Sequence, residues 1–257
     1  MNKIIFSLLV ILTTALMGSS FAIGKLGLAY SSPLLLVALR FTFAGIIMAV
    51  IVKVFKREHP KQRGEWFKIT LIGLAQTAGV MGCIFVALRT INAGETSILT
   101  FINPLLVVVL ATLFLKIKYG FRQWLGVSIG FIGVFITLGA HLDFKVGTIL
   151  GFLSAVSWAI GTLLIKKWGD LFDTWVLTAY QMLLGGLILL VASFILETPY
   201  FILSLNSIII LGWLAIMASI VQFAVWFYLL TVCQSNCDTS SQNASYEVFQ
   251  PRHFLGR

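Results

Sequence analysis

Arg40 is a lone guanidinium deep in an apolar stretch that runs from Pro33 to Val52. Placing an arginine near the centre of a membrane helix costs about 2.5 to 3.5 kcal/mol on insertion scales, so its head must find protein, water or the interface. Two routes are open: it faces a cavity between helices, or it snorkels outward, since the seven residues back to Pro33 span about 10 Å at ~1.5 Å per residue. Gln76, Thr77, Thr100, Asn103, Gln181 and Gln222 form a second tier of polar side chains inside apolar runs. Such groups either line a solute path or hydrogen-bond between helices, and for any one of them the second role is the commoner. Pro104 removes a backbone hydrogen bond beside Asn103 and bends its helix, as a hinge or as a packing adjustment. Trp158, Tyr180 and Trp226 offer aromatic faces to a cationic or apolar solute, or anchor helices at the interface.

Other chemistries find no residues. The acids Glu58, Glu65, Glu95, Asp143, Asp170, Asp173, Glu197, Asp238 and Glu247 fall in loops, at run ends or in the tail, so no carboxylate sits at membrane depth to take up a driving proton. Glu95 comes nearest. His59, His141 and His253 are scattered, Cys83 reads as a packing residue, and the spacing of Cys233 and Cys237 matches no metal motif. No metal site, cofactor or catalytic residue is expected. A membrane-embedded enzyme would need paired acids, a histidine cluster or an activated nucleophile, and a glycine-rich phosphate loop is missing too.

The elements that must position these side chains are transmembrane helices. With 59% hydrophobic and 11% charged residues and a mean hydropathy of +1.01, the chain has more apolar surface than a soluble core can hide. Eight runs are marked: Ile4 to Ile23, Pro33 to Val52, Phe67 to Leu88, Ser97 to Leu115, Trp124 to Leu138, Val146 to Ile165, Thr174 to Ile195 and Ser207 to Leu230. Most reach the ~20 residues that cross ~30 Å of hydrocarbon, while the fifth is short. Lys3, the run after it and Gly18, Ser19 and Ser20 superficially resemble a signal peptide, but the run is too long for one and seven more follow.

The formal charge of +9 reports topology rather than nucleic-acid binding. With the N-terminus inside, the inner segments hold Lys3, the basic stretch from Lys53 to Lys68, Lys116, Lys118, Arg122, Lys166, Lys167, Arg252 and Arg257, against Lys25, Arg89 and Lys145 outside. This bias places both termini in the cytoplasm. The Asn243 sequon would then escape glycosylation.

Runs six to eight replay runs one to three. Laying Met17–Val50 on Trp158–Val191 at an offset of 141 pairs Lys25 with Lys166, Leu36 with Leu177, Ala38 with Ala179, Gly45 with Gly186, Ile47 with Ile188 and Val50 with Val191, and puts Gln181 on Arg40. At nearly the same offset Gly73 meets Gly212. Five spans per copy is an odd number, so the two copies are inverted, the arrangement that suits alternating access around a midplane site. The first repeat is assigned to residues 1–140 and the partial second to 146–230. Gly126 with Gly130, and Gly147 with Gly151, allow close helix approach within the monomer or, less readily, in a homodimer.

Small residues then Lys25 closing run one, Pro33 and Arg40-Phe41 in run two, the stretch Ala93 to Pro104, Gln123 to Gly126 opening run five, and Trp158 in run six occur in an order that resembles the drug/metabolite transporter superfamily, in its ten-helix EamA-type branch. The resemblance covers Met1 to about Leu230. It implies an all-α polytopic membrane protein, ten helices around a central cavity, and export or exchange of small metabolites that are amino-acid-like or amphipathic. Two departures stand out. Lys116, Ile117 and Lys118 follow run four where such proteins commonly carry an acid, and residues 231–257 are polar where spans nine and ten would lie. That tail reads as a disordered cytoplasmic segment left by a frameshift or premature stop. The expectation is an eight-helix membrane protein lacking the last two helices of a five-plus-five repeat. Its partners are the lipid bilayer, a small-molecule substrate, and a homodimer or complementing membrane chain. The alternative is a transport-inactive fragment or a regulatory partner of another membrane protein.

Overall fold

The structure is a computed structural model that describes residues 3–117, 119–137, 145–226 and 229. The expected tail, 231–257, lies outside the described residues. Seven helices long and apolar enough to span a membrane are present: α1 (Ile4–Gly27), α2 (Pro33–Val54), α3 (Arg63–Ala87), α4 (Ala93–Leu115), α6 (Val146–Leu171), α7 (Thr174–Leu196) and α8 (Leu205–Trp226), with the shorter α5 (Phe121–Thr137) between α4 and α6. The eight apolar runs thus map onto eight helices, and among the described residues extended pairing is confined to a bridge between Ser31 and Phe201. The chain is an all-helical polytopic membrane protein.

Helix boundaries follow their local chemistry. Pro33 opens α2, where a missing N–H costs nothing. The Asn92 side chain accepts from the Glu95 amide at the start of α4, Asp173 accepts from the Trp175 and Val176 amides at α7, and Ser204 accepts from Ser207 at α8. Lys116 ends α4 in a left-handed conformation (φ 54°), at the position where an acid is the commoner residue in the resembling family. α5 has 17 residues, about 25 Å at ~1.5 Å per residue, and rests on the second half of α4.

Loops assigned to one membrane side gather at one end. The Ser32 amide donates to Tyr200 O (3.1 Å), the Ile202 amide to Tyr30 O (2.7 Å), and Lys25 Nζ to Ile91 O (2.7 Å). At the other end Arg57 pairs with Asp173 at 3.1 Å and the Tyr180 hydroxyl meets His59 Nδ1 at 3.1 Å. The helices therefore alternate in direction, as the charge distribution requires.

The core is built on α2 and α7, which cross antiparallel along most of their length. A Cβ on Gly45 would lie 2.5 Å from Leu183 N, and one on Gly186 would lie 2.6 Å from Thr42 N. Leu183 precedes Gly186 by three residues and Thr42 precedes Gly45 by three. The two contacts are therefore the same contact seen from either helix. Around this axis α3 packs on α7 and α8 on α2, while α6 packs on α3 and α1 on α8. Under the sequence offset that lays Met17–Val50 on Trp158–Val191, each pairing has its counterpart.

Candidate functional site

Three spans leave regular α-geometry, and the polar candidates gather near them. In α3 the α-helix ends at Gly73, a π-helical segment runs from Leu74 to Gly79, and α-helix resumes at Val80. In α8 the α-helix ends at Gly212, which aligns with Gly73, and Trp213–Val221 is π-helical. In α4 the helix breaks at Phe101 and Ile102, between Ala93–Thr100 and Asn103–Leu115. Pro104 lacks the N–H that the Thr100 carbonyl would receive in an unbroken helix, which accounts for the break. π-Helical turns widen the backbone and leave carbonyls free for side chains, and they recur at functional sites.

The α6 surface from Ser154 to Gly161 brings three candidates together: Thr100, Trp158 and Gln76. Thr100, fully buried, shares a 2.9 Å hydrogen bond with Ser154 Oγ and donates to Thr96 O. One turn on, the Trp158 ring lies 6.1 Å from Phe101, which lies 6.0 Å from Phe21 of α1, so three rings from three helices form a file beside the α4 break. Gln76 packs its side-chain oxygen against Gly161, where no larger residue would fit. Ser157 Oγ donates to Ala75 O at 2.7 Å, tying α6 to the α3 π-segment. Thr77, on the other side of that segment, packs on Gly185 of α7. Among the described residues Gln76 Oε1, which faces Gly161, and Asn103 Oδ1, two residues past Phe101, are buried without a hydrogen-bond partner. Unmet amide oxygens of this kind can accept hydrogen bonds from a small solute.

Arg40 lies elsewhere. It is 2% exposed, and the structure corrects the snorkelling reading: the side chain turns toward α8 rather than to the end of its helix. Nε donates to Ser219 Oγ at 2.9 Å and Nη2 to Ala218 O at 2.7 Å, while the guanidinium lies 4.8 Å from the Phe41 ring centre. Ser219 Oγ in turn donates to Leu214 O at 3.0 Å. Nη1 has no partner, and among the described residues no carboxylate stands within ion-pair distance. In this conformation the described residues enclose the group.

The remaining candidates separate from both groups. Gln181 is buried with its Oε1 unpartnered, and its backbone presses on Gly73. Tyr180 sits at the loop end of α7, edge-on to Trp66 (4.8 Å) and His59 (5.9 Å), so it fastens the 55–62 loop. Gln222 is half-buried just beyond the α8 π-segment, and Trp226 is 48% exposed in the last described turn. A shallow apolar groove of about 290 Å³, lined by Thr70, Leu184, Leu187, Ile188 and Val191, holds none of the polar candidates. Gly147 and Gly151 pack on Ile91 and Leu99 within the monomer. Among the described residues no histidine, cysteine or acid cluster could hold a metal.

Sequence reasoning missed Ser157 and Ser219, the hydroxyls that donate to carbonyls of the π-segments, and Phe101 and Phe21, which complete the aromatic file. The serines were visible as polar interruptions of apolar runs; nothing in the spacing marked the carbonyls they serve.

Helices that alternate across a bilayer, broken at midspan and lined there by amides, hydroxyls and rings, define a membrane protein of the transporter class. The profile of the EamA-like transporter family matches residues 4–139 and again 145–239. The chain belongs to that family, within the drug/metabolite transporter superfamily. It is 31% identical over 224 residues to the uncharacterized transporter YvbV of Bacillus subtilis, covering 81% of this chain and 72% of that protein. It is 30% identical over 246 residues to an uncharacterized transporter of Archaeoglobus fulgidus, covering 91% and 81%, and 28% identical over 217 residues to the uncharacterized inner membrane transporter YedA of Escherichia coli, covering 83% and 70%. A crystal structure at 15% identity shares the fold, with a TM-score of 0.62 over 96% of this chain and 91% of the other. The protein is thus a membrane transporter of the drug/metabolite type, placed in a lipid bilayer and acting on small molecules.

Proposed function

We propose that the chain exports or exchanges small metabolites, amino-acid-like or amphipathic, across the cell membrane by alternating access, with both termini in the cytoplasm. The observation that carries this reading is the reciprocity at the α2–α7 axis, where Gly45 on Leu183 and Gly186 on Thr42 are one contact repeated. Two inverted halves, 1–140 and 146–230, joined by such an axis have two conformations of similar energy, which is what a carrier needs. The Lys and Arg bias supports the orientation. The solute path runs between α1, α3, α4 and α6, past the Phe21, Phe101 and Trp158 rings, with Gln76 and Asn103 as hydrogen-bonding groups. Amides and rings without an acid favour neutral or zwitterionic solutes over metal ions and phosphates.

Counterflow in proteoliposomes tests the reading. Vesicles loaded with an unlabelled mixture of amino acids and small amphiphiles should accumulate one or a few labelled members transiently and saturably. Trp158→Ala and Asn103→Leu should each slow that accumulation about tenfold, the effect of roughly 1.4 kcal/mol. Absence of counterflow for every member of a broad panel, with correctly folded protein, sinks the proposal.

A further inference from the structure

The two π-helical segments carry matched carbonyls with unmatched donors. Ala75 lies two residues after Gly73, and Leu214 two residues after Gly212, so the repeat makes them equivalent. Each carbonyl accepts from a serine hydroxyl, Ala75 O from Ser157 at 2.7 Å and Leu214 O from Ser219 at 3.0 Å. Ser157 comes from another helix, α6. Ser219 belongs to α8 itself, and its link to the rest of the protein is Arg40, whose Nε donates to the same Oγ while Nη2 holds the next carbonyl back, Ala218 O. At the positions equivalent to Ser157 and Ser219 stand Leu16 on α1 and Val80 on α3, which carry no hydroxyl.

We infer that Arg40 is a positioning residue: it acts through Ser219 to set the π-segment of α8 against α2, as Ser157 sets that of α3 against α6, and these two joints are where the halves bend during transport. The functional part of this rests on the alternating-access reading. A guanidinium wholly buried among neutral acceptors is a costly way to pack a helix, and apolar side chains of similar size would pack as well. What the arginine adds is direction, because its planar fork holds two successive residues, the Ala218 carbonyl and the Ser219 hydroxyl, of a segment whose own hydrogen bonds are irregular.

The test uses the full chain in lipid nanodiscs and follows amide hydrogen exchange in the peptides that cover 74–81 and 213–223. Arg40→Met and Ser219→Ala should each speed exchange in 213–223 about tenfold and leave 74–81 unchanged, while Ser157→Ala should do the reverse. The double variant Arg40→Met with Ser219→Ala should exchange no faster than Arg40→Met alone, since both act on one link. Arg40→Lys, which keeps one donor, should restore part of the protection. Uniform acceleration throughout the chain, unchanged exchange in 213–223, or additive effects in the double variant would each overturn the inference. A parallel experiment labels engineered thiols at the two mouths with an impermeant maleimide in vesicles. The Arg40→Met protein should shift labelling toward one mouth, and unshifted labelling would defeat the bending role. If the unsubstituted protein labels from one side alone under every condition, the alternating-access reading fails, while the exchange data still decide the positioning of α8.

Discussion

The crossing of α3 with α7 and the crossing of α8 with α2 correspond under the sequence offset yet are built on opposite principles. At the first, a Cβ on Gly73 would lie 2.8 Å from Gln181 O, and one on Gly185 would lie 2.5 Å from Thr77 Cβ, so backbone meets backbone. At the second, Gly212 has nothing within 4 Å of a Cβ, and the residue equivalent to Gly185 is Ala44. The separation is bridged by Arg40. Close glycine packing gives many short-range contacts that resist any shift, whereas a single long polar arm tolerates sliding and specifies an end point. Two crossings matched by the sequence offset are thus held in one case by backbone packing and in the other by a single side chain.

The comparison breaks most visibly at the glycines. Gly73→Leu should cost about 3 kcal/mol, because the backbone of α7 cannot move aside, and should lower the detergent melting temperature or abolish a monodisperse folded peak. Gly212→Leu should change stability by less than about 0.5 kcal/mol, in line with an open helical site. Equal effects at both positions would remove the distinction. Next in size, Ser219→Ala strands a buried guanidinium donor and should cost about 1 to 3 kcal/mol, against about 1 kcal/mol for Ser157→Ala, where both partners are neutral. Thermal unfolding in one detergent compares the pair.

A swap sharpens the contrast. Leu16→Ser introduces on α1 the hydroxyl that Ser157 supplies on α6 but empties a buried leucine site, so in a Ser219→Ala background it should be about 1 kcal/mol more stable than Leu16→Ala in the same background. Equal stability of the Ser and Ala variants would mean that the α1–α8 contact does not mirror that of α6 with α3. The smallest effect is expected at the loop end, where Tyr180→Phe removes the hydroxyl that meets His59. It should cost about 0.5 to 1 kcal/mol, visible as faster proteolysis of the 55–62 loop and little else.

What could be read from the sequence divides along the same physical line. Helix positions rest on averages over ~20 residues, and the apolar runs carried them. Gly73 and Gly212 were paired from sequence, and both prove to be where α-helix gives way to π-helix. The π-segments themselves could not be foreseen, since an i to i+5 bond leaves no periodic mark in an all-apolar helix. Arg40 was recognised as special, but its partner sits 179 residues away and is a serine and a carbonyl rather than an acid, so charge pairing gave no clue. Trp158 and Thr100 were found individually. Their gathering on one face of α6 with Gln76 depends on how α3 and α4 lean, which composition does not encode.

The 179 residues between Arg40 and Ser219 also set a clock for biogenesis. At about 5 to 20 residues per second, α2 enters the bilayer roughly 10 to 35 s before α8 leaves the ribosome. Throughout that interval the guanidinium lacks its native acceptors, and it must sit at the headgroups or in the care of the insertion machinery. The native seat of Arg40 is thus among the last to form, and its occupation marks the arrival of the second half of the protein.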